Sequence, residues 1–180
     1  MLSSNFKGLA LYELTKGMYG ITSAFGECLS QAASICLEDQ EHRSGVHLSV
    51  DGDFNGEFPV IWKTTTEQMR RCWADPEVTT EHGAYGIAAL LIPTLTDLTI
   101  VHRSRKGTGF DFWLGPVPTD ELLFQEKARL EVSGIRKGNK TEIKSRLKQK
   151  IEQTKRSDGA LSAYIVVVEF GEPQSRVVKR

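Results

Sequence analysis

The chain has 180 residues, 39% apolar and 26% charged, which argues against disorder and fits one domain long enough to bury a real core. Its 23 basic and 23 acidic side chains cancel, so no global field draws it to nucleic acid and any such binding must come from a local patch. Three cysteines without CxxC spacing, no apolar run of membrane-spanning length and an N-terminus without signal-peptide features set the expectation of a cytoplasmic protein with no membrane partner.

Residues 8–41 carry a helical pattern. From Ile21 onward, Phe25, Cys28, Leu29, Ala32, Ile35, Cys36 and Leu37 form an amphipathic stripe. Gly17, Gly20 and Gly26 each weaken an unbroken helix by about 1 kcal/mol against alanine, and a break is expected near Gly17–Gly20. The longer helix should end near Asp39, its stripe serving as core packing or as a homodimer face. Residues 45–63 read as a hairpin, with Val46, Leu48 and Val50 alternating before the DGDFNGE turn and Val60 and Trp62 after it. Asp51, Asp53, Asn55 and Gly56 match the opening of a calcium-binding loop, but Trp62 falls where a glutamate is needed, so a plain turn is expected.

A short helix is expected over 64–76, with Thr65 or Thr66 as its N-cap and Pro76 beyond its end. A second runs from about Thr80 to Ile92, capped by Thr79 or Thr80 and stopped by Pro93, with Glu81 in its first turn. A strand at 97–104, the RKGTG turn, the strand GFDFWL, a loop over 116–121, the lead-in LLFQ and the strand KARLEVSG follow. Asn139 then caps a helix from about Lys140 to Arg156, with Glu142 reaching back in a capping box and Asp158-Gly159 ending it. SAYIVVVEF, residues 162–170, is apolar enough for a strand buried on both faces, and the tail GEPQSRVVKR carries no clear signal.

The period of two separates two faces in the central strands. Phe110, Phe112 and Leu114 point one way, Asp111 and Trp113 the other. Ala128, Leu130 and Val132 make an apolar face, and Lys127, Arg129, Glu131 and Ser133 a polar one. If these strands pair, Asp111 and Glu131 meet on one face of the sheet. Short loops predict an antiparallel meander of three strands, and the helix before residue 162 supplies the crossover that a parallel fourth strand needs. The expected fold is a mixed-sheet α/β domain, with residues 1–76 as an N-terminal extension of helices and hairpin and residues 77–171 as an αβββαβ core.

That order, with Glu81 on the helix, Asp111 in the second strand and Glu131 in the third, resembles the PD-(D/E)xK nuclease superfamily over roughly Glu81 to Phe170, half the chain. The resemblance implies a restriction-endonuclease-like core that hydrolyses DNA or RNA phosphodiesters. Asp111 and Glu131 would be ligands to magnesium or manganese, with Glu81 assisting. Hard cations of this kind take carboxylate oxygens and keep several waters, one of which can be activated for attack on phosphorus. The chain departs from the pattern at Ser133, where the superfamily's lysine would stand, and Gly109-Phe110 replaces the proline of the motif. A serine hydroxyl can hydrogen-bond a water but brings no positive charge. Three readings stay open: the role has migrated, for example to Lys144 or Lys148 on the following helix; the enzyme works without it; or catalysis is lost and the protein binds nucleic acid or a protein partner, as in a bacterial defence or mobile-element system.

Residues 136–156 hold nine Lys or Arg against Glu142 and Glu152, with Ile143, Leu147 and Ile151 as a narrow inward stripe. Lys140, Lys144 and Lys148 align along another side, and Arg105 and Lys106 in the strand turn extend the patch. In a neutral chain this is a local surface suited to a phosphate backbone.

Overall fold

A computed structural model describes residues 8–119, 125–157, 159 and 161–180; the expected LLFQ lead-in, Gln125 apart, and the Asp158 half of the helix stop lie outside the described residues. One mixed sheet organises the chain. Its strands are β1 (Leu9–Ala10), β2 (His47–Gly52), β3 (Gly56–Ile61), β4 (Leu98–Arg103), β5 (Phe112–Pro116), β6 (Ala128–Ile135), β7 (Ser162–Glu169) and β8 (Gln174–Lys179). They lie in the order β1-β3-β2-β8-β7-β6-β5-β4. The β4–β5–β6 meander is antiparallel, and β6 and β7 run parallel. The α-helix between them, α4 (Lys140–Thr154), makes that connection.

The C-terminal tail, unreadable by pattern, is β8. It pairs antiparallel with β7 and parallel with β2, so one continuous sheet runs through the N-terminal hairpin and the meander alike.

Three further helices complete the frame. α1 (Ser23–Glu38) is capped by the Thr22 hydroxyl, which accepts from the Phe25 N–H, and α2 (Glu67–Cys72) is capped by Thr66. The apolar stripe of α1 is spent inside the subunit: Leu29, Ala33, Cys36 and Leu37 are buried in the main core with Ala84, Ile87, Ala88 and Leu91 of α3 (Pro76–Leu95). At Gly26, a weak point by helix propensity, the chain passes itself closely. A Cβ there would lie 1.9 Å from the Leu14 carbonyl oxygen.

α3 begins four residues earlier than its pattern indicates. Asp75 caps it by accepting from the Glu77 and Val78 N–H groups, and Pro76 occupies the first helical position, where its fixed φ and missing N–H cost nothing. Thr79 and Thr80, the expected caps, instead donate their hydroxyls to the Asp75 and Pro76 carbonyls within the helix. Pro93 lies inside the last turn, and the helix continues to Leu95. Glu81 consequently stands in the second turn, beyond the strongest influence of the helix dipole.

The sheet has two differently filled faces. Leu130, Val132, Tyr164, Val166 and Val168 join the large core with α3, whereas Ala163, Ile165 and Val167 pack against Ile143 and Leu147 of α4. The face of β6 that alternation marks as polar is therefore covered. Arg129, Glu131 and Ser133 are all buried. Arg129 uses the position by donating to the carbonyls of Thr154, Ser157 and Leu161 at the end of α4 and beyond it.

Candidate active site

Asp111 lies one residue before β5, and its N–H donates to the Leu130 carbonyl at 2.9 Å. The register pairs Phe112 with Leu130 and Trp113 with Arg129, so the next antiparallel position sets Asp111 opposite Glu131. Asp111 Oδ2 accepts the Val132 N–H at 2.8 Å and Oδ1 accepts from the Tyr85 hydroxyl at 2.9 Å. That hydroxyl oxygen also lies 2.8 Å from Glu81 Oε1. One phenolic proton serves one carboxylate at a time, so Tyr85 joins Glu81 and Asp111 through a single shared group. Edge-on packing against Phe112, with centroids 5.1 Å apart, holds the ring.

Glu131 is 1% exposed. Its Oε1 accepts from Lys150 Nζ of α4 at 2.6 Å, and the amide oxygen of Gln153 lies 3.3 Å from the same nitrogen. The Glu131 and Asp111 carboxyls touch, a contact that is a hydrogen bond only while one of them holds a proton. With both ionised, Glu131 Oε2 is buried and has no hydrogen-bond donor. Burial raises both carboxyls above their ordinary range. For Glu131 the neighbouring Asp111 charge adds to burial and Lys150 opposes it, and the group is pushed up to about 8. For Asp111 burial is opposed by the Val132 N–H, the Tyr85 hydroxyl and the Lys150 charge. Burial, reinforced by the Asp111 and Glu81 charges, drives the Tyr85 phenol far upward, so it stays protonated.

The donor set suits a divalent cation. Glu81, Asp111 and Glu131 with Lys150 carry a formal charge of −2 when all are ionised, and the unserved Glu131 Oε2 faces no donor. Among the described residues no three His, Cys, Asp or Glu converge on one ion. Magnesium commonly takes one or two carboxylates and completes its shell with water and phosphate oxygens, so the Asp111–Glu131 pair meets that requirement.

The pair sits between two clefts. One, about 380 Å³, is lined by Arg103, Arg105, Lys106 and Phe110 beside Asp111, Glu131 and Gln153. The other, about 710 Å³, runs past Glu81, Ser133, Arg136, Arg146 and Lys150.

The residues expected from sequence thus separate. Asp111 and Glu131 come together, Glu81 reaches them through Tyr85, and Arg105 and Lys106 wall the adjoining cleft. Ser133 is 7% exposed, and its hydroxyl oxygen accepts from Arg146 Nη1 at 3.0 Å. Lys144 and Lys148 do not reach the carboxylates. Lys144 lines a separate depression with Lys140, Asp51 and Arg176, and Lys148 is exposed. The cation beside Glu131 is Lys150. Ile143, Leu147 and Ile151 face the sheet, so Arg146 and Lys150 form one flank of α4 and Lys144 and Lys148 the other, and the first flank is the one turned to β6. Tyr85, Lys150 and Arg146 were the residues that pattern reading passed over. A signal for Lys150 existed in its place directly before Ile151 and its four-residue spacing from Arg146.

No protein-family model matches the chain, and neither a curated protein nor a solved structure does.

Proposed function

We propose that this protein is a metal-dependent phosphodiesterase of the nuclease-like kind, hydrolysing DNA or RNA. One observation carries the reading: two adjacent carboxylates, half-buried Asp111 and buried Glu131, lie beside Lys150 in a cleft walled by Arg103, Arg105 and Lys106. Asp111 and Glu131 would hold magnesium or manganese. Bound there, the cation would polarise a phosphoryl oxygen and lower the pKa of a coordinated water.

The chain's own groups have distinct work in this reading. Val132 N–H and Tyr85 fix the two Asp111 oxygens, so that the carboxylate is oriented before any ligand arrives. Lys150 holds Glu131 and supplies, from α4, the positive charge that Ser133 lacks. Arg105 and Lys106 receive the phosphate backbone, and a flexible ammonium or forked guanidinium suits that contact without reading base identity.

The order of elements from α3 to β7 and the residue types at 81, 111 and 131 support kinship with the PD-(D/E)xK pattern. A second reading, a protein of the same architecture that binds nucleic acid or a protein partner without cleaving, is favoured by the Ser133 position, where Arg146 binds the hydroxyl and no lysine stands. Titration with Mn²⁺ and incubation with single- and double-stranded DNA and RNA decide between them. The enzyme reading requires metal binding and cleavage that Asp111→Asn and Glu131→Gln both abolish. Wild-type protein that binds no Mn²⁺ and leaves every substrate intact ends it.

A further inference from the structure

We propose that the flank of α4 turned toward β8 is a second phosphate-backbone surface, so that the bound nucleic acid is a polymer longer than the Asp111–Glu131 cleft can hold. This rests on the nucleic-acid half of the reading above and not on its metal chemistry.

Lys140, Lys144 and Lys148 recur every four residues along this flank, with side chains about 5–6 Å apart at their bases. All three are exposed, and none is in a hydrogen bond or ion pair among the described residues. Other cations of the same helix region are already engaged: Lys150 binds Glu131, Arg146 binds Ser133 and Lys155 binds Glu152. Arg176 of β8 lines the same depression, about 200 Å³, as Lys140 and Lys144. One counter-charge lines it, Asp51, whose Oδ2 lies 3.1 Å from Arg176 Nη1. Lys140, Lys144 and Arg176 against Asp51 leave the depression with a formal charge of +2, in a protein whose whole charge is zero.

The chemistry of this surface selects its partner. Among the described residues the exposed large hydrophobics are Tyr12, Tyr19, Val78 and Val117, none of them on α4 or β8. The apolar stripe of α4 is packed against β7. A membrane-surface helix needs an apolar face to insert, and a stable protein interface needs buried aromatic or aliphatic anchors. A regular polyanion needs neither. Helix α4 is roughly 10–12 Å across with its side chains, so a strand touching both flanks must span several phosphates, at about 3.4 Å of axial rise per step in a duplex.

The test measures binding of labelled 30-base-pair DNA and RNA duplexes in EDTA between 50 and 200 mM salt. It compares wild type with the K140Q/K144Q/K148Q variant, with hydrolysis of the small diester bis(p-nitrophenyl) phosphate assayed in parallel with Mn²⁺. The triple variant should bind more weakly, with a log–log salt slope shallower by about 2.7, so that the wild-type advantage shrinks about 40-fold across that salt range. Small-diester hydrolysis should be unchanged by the triple substitution. Equal affinity and slope for wild type and triple variant overturn the proposal. So does a wild type that binds neither duplex, or one that binds phosphatidylserine vesicles as strongly. Intact salt-dependent binding without any diester hydrolysis upholds this surface and overturns the phosphodiesterase reading.

Discussion

Lys150 Nζ lies 2.6 Å from Glu131 Oε1, joining a helix to a strand that ended five residues before the helix began. Neither residue is unusual in its own element. Glu131 alternates with Arg129 and Ser133 on a polar face, and Lys150 is one of nine cations in its stretch of chain. Their meeting sets the charge balance of the site.

Replacing Lys150 with methionine keeps most of the side chain's length without its charge, and leaves Glu131 with only another carboxyl beside it. Unpairing a buried ion costs about 3–5 kcal/mol when the remaining group stays charged, and less where it can protonate. Urea unfolding should therefore show a larger loss for Lys150→Met at pH 9 than at pH 6. Lys144→Met and Lys148→Met, on exposed positions, should stay within about 0.5 kcal/mol of wild type at both. Equal costs at positions 144 and 150 would remove the distinction between the flanks.

The raised Glu131 group links stability to pH with a definite sign. Between the unfolded value of 4.5 and the folded value of about 8, the native state holds a proton that the unfolded chain has released. Unfolding free energy contributed by this group is fully present below 4.5 and is lost as pH rises through 8, with a limiting slope of about 1.4 kcal/mol per unit. Glu131→Gln should abolish this component, seen as a gain of the variant over wild type that grows with pH across the window. Mn²⁺ binding at pH 7 should release protons, measurable by calorimetry in buffers of different ionisation enthalpy.

Tyr85→Phe removes one oxygen and keeps the ring against Phe112. Asp111 Oδ1 then loses its donor, and Glu81 loses its link to the pair. Mn²⁺ affinity should drop by roughly 10–100-fold, the usual consequence of losing an orienting partner behind a ligand. Glu81→Gln keeps an acceptor for the Tyr85 hydroxyl and should change affinity far less. A Glu81→Gln loss as deep as that of Asp111→Asn would mean that Glu81 meets the cation directly.

Glu169 carries a separate prediction. It is fully buried at the end of β7, and its carboxylate accepts from the N–H groups of Gly138, Gly171 and Glu172 and from the Gln174 side chain. It ties the turn before α4 to the turn before β8. Glu169→Ala strands those donors, each worth about 1–3 kcal/mol when left unpaired, and should lower stability by at least 3 kcal/mol in chemical denaturation. Because the same clip seats the start of α4, Mn²⁺ affinity should fall with it.

Much was legible in the chain before it folded. The meander, the parallel crossover to β7 and the capping of α4 by Asn139 with Glu142 follow from alternation, loop length and local hydrogen-bonding chemistry. So does the meeting of Asp111 with Glu131, because a period of two leaves cross-strand partners little freedom once the strands pair. The start of α3 is not legible in the pattern, because a proline such as Pro76 marks the end of one helix and the first residue of the next equally well. The reason for Gly26 lies in Leu14, outside α1, which helical periodicity does not reveal.

The sequence by itself determined the strand faces, the carboxylate pair and the supply of cations along α4. The tertiary structure alone decided that β8 joins the two halves of the sheet, that the polar face of β6 is buried, and that Lys150 rather than Lys144 or Lys148 stands beside Glu131. The physical reason is common to all three. Periodicity fixes which side chains share a face, but the layer that covers that face is chosen by packing between segments distant in the chain, and burial then sets how each charge behaves.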